Sequence, residues 1–213
     1  MRRISMWVLP IWLSIATSCL AQQYELGGLG GYGWQGGLCA KTDTASATPG
    51  FRPGAAIGIV FGDNLYSQIS GEVRYLFRWS DLKVDSGGQK ASFNGESHII
   101  HYDFLFHTNP ADVPTRPFFA VGLGAKIFKG TGNERAFQPL TEFVLLTKAT
   151  DILPVISLGG GVKWNWREHV GIRVEVRDYW SPSPQKVLVP NPSARIAGWL
   201  HDIVPMVGIA YRF

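Results

Sequence analysis

The sequence predicts an all-β chain folded as one closed antiparallel barrel of about eight strands, an up-and-down meander of the membrane-crossing kind. Three observations predict it. Apolar residues alternate with small or polar ones over eight separate stretches, the period of a strand. The connections between stretches are alternately long and short. The second face of these stretches holds glycine, alanine and charges of both signs, which is not what a water-facing strand selects.

Residues 1–21 read as a secretory signal, leaving 22–213 as the barrel domain. Arg2 and Arg3 form a positive start, Met6 to Ala16 an apolar centre, and Cys19-Leu20-Ala21 places small residues at −3 and −1, so cleavage is expected after Ala21. An uncleaved anchor helix is disfavoured because the apolar stretch is short and broken by Pro10. A lipoprotein acylated at Cys19 is disfavoured because Ala16-Thr17-Ser18 lacks the usual leucine. Without the signal, Cys39 has no cysteine partner and reads as a loop residue. The net charge falls from +4 to +2 and there is no basic run, which argues against nucleic acid as a partner. No segment after the signal has the 18 consecutive apolar residues of a spanning helix.

The eight stretches are 24–34, 54–62, 65–79, 96–107, 117–129, 153–164, 169–180 and 202–213. Polar, Gly- and Pro-rich connections such as Gln35–Pro53 and Ser181–Leu200 follow the odd ones. Short turns follow the even ones, at Asp63-Asn64, Thr108–Arg116 and Asn165–Glu168. Long loops at one end and tight turns at the other suit a barrel whose ends face different compartments.

The face occupancy decides between a membrane barrel and a soluble one. Val73, Tyr75, Phe77 and Trp79 oppose Glu72, Arg74, Leu76 and Arg78; Val170, Ile172, Val174 and Val176 oppose Gly171, Arg173, Glu175 and Arg177. Small residues and paired charges fit the inside of a narrow barrel, and the bulky apolar face then meets lipid. Lys129 and Asp178 are exceptions on that face, near strand ends where a charge costs little. Trp34, Trp79 and Trp180 at one end, and Phe61, Trp164, Trp166, Tyr211 and Phe213 at the other, suit two interfacial girdles. Pro205, inside the last stretch, predicts a bulge near the rim.

The segments YELGGLGGYG (24–33), PFFAVGLGAKIF (117–128), GGGVKWNWREHVGIRVEVRDY (159–179) and VGIAYRF (207–213) resemble the OmpA/OmpX-like family of outer-membrane barrel domains. The resemblance spans essentially the whole chain after the signal. It implies residence in the outer membrane, contact with its lipid, and delivery by the assembly machinery that reads a C-terminal aromatic, here Phe213 with Tyr211 before it. The sequence ends at Phe213, so the separate peptidoglycan-binding domain of full-length OmpA proteins is not expected.

The remaining motifs carry little chemistry. Gly28 to Gly33 matches G-x-G-x-x-G, but inside a strand and with no helix after it, so no nucleotide cofactor is expected. His98, His101 and His107 lie near Asp103. Only His101 and Asp103 are close enough on one strand face to share an ion, so pairing within the lumen is expected and no metal. The expected lumen charges are Glu72, Arg74, Asp103, Lys126, Lys163, Arg173, Glu175, Arg177 and Arg212, a set with more bases than acids. A resemblance to lipid A deacylases, which place a histidine and a serine together on a late strand, meets Arg177-Asp178-Tyr179-Trp180-Ser181 with no neighbouring histidine; His169 and His201 lie at strand beginnings. The expected function is therefore non-enzymatic: envelope integrity, or contact with an external ligand through the long loops. A lipid A-modifying enzyme and a soluble barrel binding an apolar ligand are the alternatives.

Overall fold

The computed structural model describes residues 24–36, 38–42, 45–133 and 137–213; the signal and its cleavage point lie outside the described residues. In chain order the strands are β1 (Tyr24–Gln35), β2 (Cys39–Lys41), β3 (Ser46–Phe51), β4 (Gly54–Tyr66), β5 (Ile69–Trp79), β6 (Leu82–Ser86), β7 (Gln89–Phe93), β8 (Gly95–His107), β9 (Thr115–Gly130), β10 (Val144–Leu146), β11 (Thr150–Arg167), β12 (Val170–Ser181), β13 (Leu188–Pro190), β14 (Arg195–Ala197) and β15 (Leu200–Arg212). Eight of them close into an antiparallel barrel in the order β1-β15-β12-β11-β9-β8-β5-β4, each beside its neighbour in the meander.

The eight predicted stretches are these eight barrel strands, and the outward face is the predicted one. Val73, Ile100, Phe104, Phe119, Val174, Val176, Val207 and Ile209 are exposed on the wall, Leu123 by 68%. Branched and aromatic side chains of this kind suit a pleated strand surface. Trp34 and Trp79 are exposed at the loop end, and Phe61, Trp164, Trp166, Tyr211 and Phe213 at the turn end. Trp180 is half-buried.

Two turns lie further along the chain than predicted. β4 runs through Asp63-Asn64 and turns at Ser67-Gln68, with Leu65 as the extra residue of a bulge between Asn64 and Tyr66. The Asn64 side chain is used inside the barrel, accepting hydrogen bonds from Ser70 Oγ (2.8 Å) and Arg116 Nη1 (3.3 Å). β11 likewise continues to Arg167 past a bulge after Asn165, leaving Glu168-His169 as the turn.

The bulge predicted at Pro205 is absent. Pro205 pairs with Val176 in an unbroken β12–β15 register. On the other side the β1–β15 ladder skips Tyr32 and Gly33, then resumes at Trp34↔Ile203 in the same register. Proline removes one donor, and the sheet absorbs the loss as missing rungs rather than as an inserted residue.

The long connections are folded. β14, β2, β3, β6 and β7 form a five-stranded sheet above the barrel mouth, and β10 pairs with β13 beside it. Together they enclose a core of their own, including Leu38, Phe51, Leu82, Val84, Phe93, Phe143, Leu146, Val187 and Leu188. Phe128 and Leu200, at the loop ends of β9 and β15, belong to the same core, and Phe51 stacks on Phe128 at 5.1 Å. This cap joins the barrel through buried apolar contact, not through flexible tethers.

Inward glycines let neighbouring strands approach. A Cβ on Gly122 would collide with the Asp103 carboxylate and the Tyr102 carbonyl oxygen, whereas one on outward Gly28 would meet nothing within 4 Å. Gly122→Val is therefore expected to abolish the compact, heat-modifiable form on a detergent gel, while Gly28→Val keeps it.

Candidate functional site

The lumen holds a network of ion pairs brought together from seven of the eight barrel strands. At the turn end, Lys163 Nζ donates to both Glu25 carboxylate oxygens at 3.1 Å. Arg173 on the next strand reaches Glu72 Oε2 (2.8 Å) and Glu175 Oε2 (2.8 Å). Arg74 bridges the same two acids, donating to Glu175 Oε1 at 2.6 Å and to Glu72 Oε1 at 2.5 Å. Arg177 then links Glu175 to Asp103, with Nη1 at 2.9 Å from Asp103 Oδ2, and His101 Nδ1 lies 3.0 Å from the other oxygen of Asp103. Nearer the loops, Asp202 holds Lys126 (2.9 Å) and Arg78.

Alternation places these groups inward, because residues two apart share a strand face. Glu72, Arg74, Asp103, Lys126, Lys163, Arg173, Glu175 and Arg177 are all buried in this lumen, Arg74 and Arg177 completely. Arg212 differs from the rest of the predicted set. It is half-buried at the turn end and donates to the backbone carbonyls of Arg167 (3.1 Å) and Glu168 (3.0 Å). The sequence list omitted Glu25, Asp202 and Arg78. Glu25 and Asp202 supply the missing negative charge. Both lie on the inward face of their strands by simple alternation, which was the available signal. They were hidden because each sits in the first two residues of its predicted stretch, where the pattern is weakest.

Apolar side chains fill the space between the ionic layers: Leu29, Leu76, Ile99, Val155, Val204 and Met206 form one buried cluster with Tyr179. Phe118 lies under the guanidinium groups of Arg173 (5.5 Å) and Arg177 (5.9 Å). At the turn-end mouth, Ser70 Oγ contacts His107 Nε2 at 2.9 Å, and Arg116 donates to Asn64. His98 faces outward, where its Nδ1 lies 2.8 Å from the Tyr75 hydroxyl. The three predicted histidines thus occupy three separate places, and no metal-binding group of His, Cys, Asp and Glu occurs among the described residues.

The glycine-rich match at Gly28 to Gly33 lies within β1 and opens no helix. The C-terminal residues close the barrel: Phe213 and Tyr24 exchange backbone hydrogen bonds of 3.0 and 3.1 Å, and Tyr211 pairs with both Leu26 and Val170. Cys39 is exposed on β2.

The outer wall carries two polar clusters near the loop end. Lys129 pairs with Glu96 at 2.9 Å. Asp178 accepts from the Trp180 indole (2.5 Å) and lies 3.2 Å from His201 Nδ1. The expectation that no histidine neighbours the 177–181 stretch is corrected here, because strand pairing sets His201 directly opposite Trp180. Ser181, however, is fully buried on the inner face.

No family model matches the chain, and no curated protein matches it in sequence. Solved structures match in fold. Neisserial surface protein A matches with a TM-score of 0.55 at 10% identity, over 90% of this chain and 97% of its own. The outer membrane protein OprG from Pseudomonas aeruginosa gives 0.53 at 14%, over 90% and 95%. A major outer membrane protein from Thermus thermophilus gives 0.52 at 15%, over 89% and 99%. At these identities the likeness concerns the fold.

Asp202→Asn strands two buried cations and is expected to cost about 3–5 kcal/mol in urea unfolding from micelles, whereas Glu96→Gln at the outer-wall pair changes stability by less than about 1 kcal/mol. Leu146→Ala opens a cavity in the cap core. It is expected to make the loops sensitive to limited proteolysis while the barrel fragment keeps its heat-modifiable migration.

Proposed function

We propose that this chain is a non-enzymatic outer-membrane barrel of the OmpA/OmpX-like type, a sealed anchor that holds a folded external cap at the cell surface. The observation that carries the reading is the inversion of its wall: bulky apolar side chains outward, neutralised charges within. Such a wall is stable only where hydrocarbon meets its outside, and a closed barrel is the sheet that leaves no unpaired backbone edge in lipid. Its partners on this reading are outer-membrane lipid, the assembly machinery at Phe213 and Tyr211, and an external ligand met by the cap. Its roles are envelope integrity or surface interaction.

Two further observations support it. The described lumen is filled by buried ion pairs and by Leu29, Leu76, Ile99, Val204 and Met206, which favours a plug over an apolar ligand cavity or an open pore. Around the outward His201–Asp178 pair the neighbouring outward side chains are Trp34, Ile156, Leu158, Trp180 and Ile203. A general base without a hydroxyl or thiol beside it lacks the nucleophile a deacylase needs.

Membrane fractionation is expected to recover the protein from the outer membrane, and planar bilayers containing it are expected to show no sustained current. Recovery from the soluble periplasm, or steady open-channel conductance, overturns the reading. Lipid A from cells with and without the protein is expected to give the same acyl pattern by mass spectrometry.

A further inference from the structure

Of the two polar clusters on the outer wall at the loop end, one is closed and the other is open. In the closed one, Lys129 pairs with Glu96 (2.9 Å), Glu96 lies 3.7 Å from His98 Nε2, and His98 Nδ1 lies 2.8 Å from the Tyr75 hydroxyl. Both ring nitrogens of His98 thus meet a polar group. In the open one, Asp178 Oδ2 accepts from the Trp180 indole (2.5 Å) and takes His201 Nδ1 at 3.2 Å, while Asp178 Oδ1 is buried. The His201 side chain is 45% exposed, and its Nε2 has no partner among the described residues. A proton held on Nδ1 by the carboxylate leaves Nε2 as an acceptor on the wall.

Aromatic rings flank that nitrogen. Trp180 lies directly across from His201 in the β12–β15 ladder, with ring centroids 4.6 Å apart. Trp34, opposite Ile203 on β1, is exposed and meets Tyr32 edge-on at 5.2 Å. Of the outward neighbours of the pair, Trp34, Ile156, Leu158, Trp180 and Ile203, none is Lys or Arg. Further from the loops, a furrow runs along β1. Gly30 and Gly28 face outward, and a Cβ on either would meet nothing within 4 Å. Ile57 and Ile59 on β4, and Val207 and Ile209 on β15, stand exposed on its two sides. Gly30 lies roughly 13 Å along the strand from Trp34, about half the height of an apolar band of ~25 Å.

We infer that this face binds a sugar-headed lipid of the outer leaflet. A sugar hydroxyl donates to His201 Nε2, the C–H face of the sugar lies on the indole rings, and an acyl chain occupies the furrow. The inference rests on the outer-membrane reading above and names the class of lipid. Chemistry selects the headgroup. Asp178 has one oxygen engaged and the other buried, so the site offers a single neutral acceptor, which matches a hydroxyl. A phosphate headgroup has only acceptors and needs Lys or Arg, which this face lacks. An ammonium headgroup brings a charge and three donors, for which no free carboxylate is left. Indole rings supply a flat apolar surface whose rim stays polar, the form of a sugar face ringed by hydroxyls. The furrow accounts for the chain, since outward glycines make few contacts of their own with hydrocarbon and a chain lying between the isoleucine and valine ridges regains them.

The test uses the full protein in detergent micelles with its tryptophans labelled by nitrogen-15. The indole N–H resonance of Trp180, held by Asp178, is followed while monoglucosyl diacylglycerol is added. Phosphatidylglycerol and phosphatidylethanolamine with the same acyl chains are titrated in parallel. The expected result is a saturable shift with the glucosyl lipid and none with the other two. His201→Phe keeps a ring and removes the acceptor; it is expected to weaken binding about tenfold. Gly30→Leu fills the furrow without touching the headgroup cluster and is expected to weaken binding severalfold. Glu96→Gln, in the closed cluster, is expected to leave it unchanged. Heat-modifiable migration checks that each variant folds. Absence of a saturable shift, an equal response to either phospholipid, or unchanged affinity in His201→Phe or Gly30→Leu overturns the inference. Any of these in a protein recovered from the outer membrane leaves the anchor reading standing; recovery from the periplasm removes that reading whatever the titration shows.

Discussion

Neutralising charge inside a narrow wall is the interaction on which the remainder of this structure depends. Eight strands leave little lumen, so every inward side chain must be small, apolar or paired. Among the described residues, five acids and six bases meet there: Glu25, Glu72, Asp103, Glu175 and Asp202 against Arg74, Arg78, Lys126, Lys163, Arg173 and Arg177. Most links join strands distant in sequence, as Arg74 to Glu175 does across the barrel. A buried pair of this kind adds little net stability over apolar packing, yet losing one member is costly because the other stays buried and charged. The network thus acts less as glue than as a constraint on which closed arrangement is tolerated.

The same constraint sets the outer face. With the interior occupied by paired charge and by Leu29, Leu76, Ile99 and Met206, the bulky apolar residues have nowhere to go but outward. In water that wall would be an aggregation surface; against hydrocarbon it is the favourable one. The few outward charges obey the same rule: Lys129 is met by Glu96, and Asp178 by Trp180 and His201, all toward the loop end of the wall.

The cap extends this logic to the connections. Loops that merely bridged strands would expose their backbone groups to water. Here three of the four long connections share one sheet, and the third joins the fourth through β10 and β13, over a buried core that includes Phe128 and Leu200 of the barrel itself. A rigid wall below and an apolar core between make the cap a positioned surface, whose sheet runs from β14 to β7 among the described residues.

Strand existence, alternation and the direction of each face were legible in the sequence, because a period of two is a local property that each stretch carries alone. So were the inward roles of Glu72, Arg74, Arg173 and Glu175. Turn positions were not: Asp63-Asn64 has turn-forming residues, but Asn64 is held in the lumen by Ser70 and Arg116, contributed by other strands. Nor was the pairing of Asp202 with Lys126 and Arg78, the position of His201 across from Trp180, or the union of the loops into one sheet. Residue order alone dictates which positions alternate and which face is apolar. Closure of the barrel was needed to settle which charges neutralise one another and which connections share a sheet, since both depend on strands far apart in the chain being brought within a few ångströms.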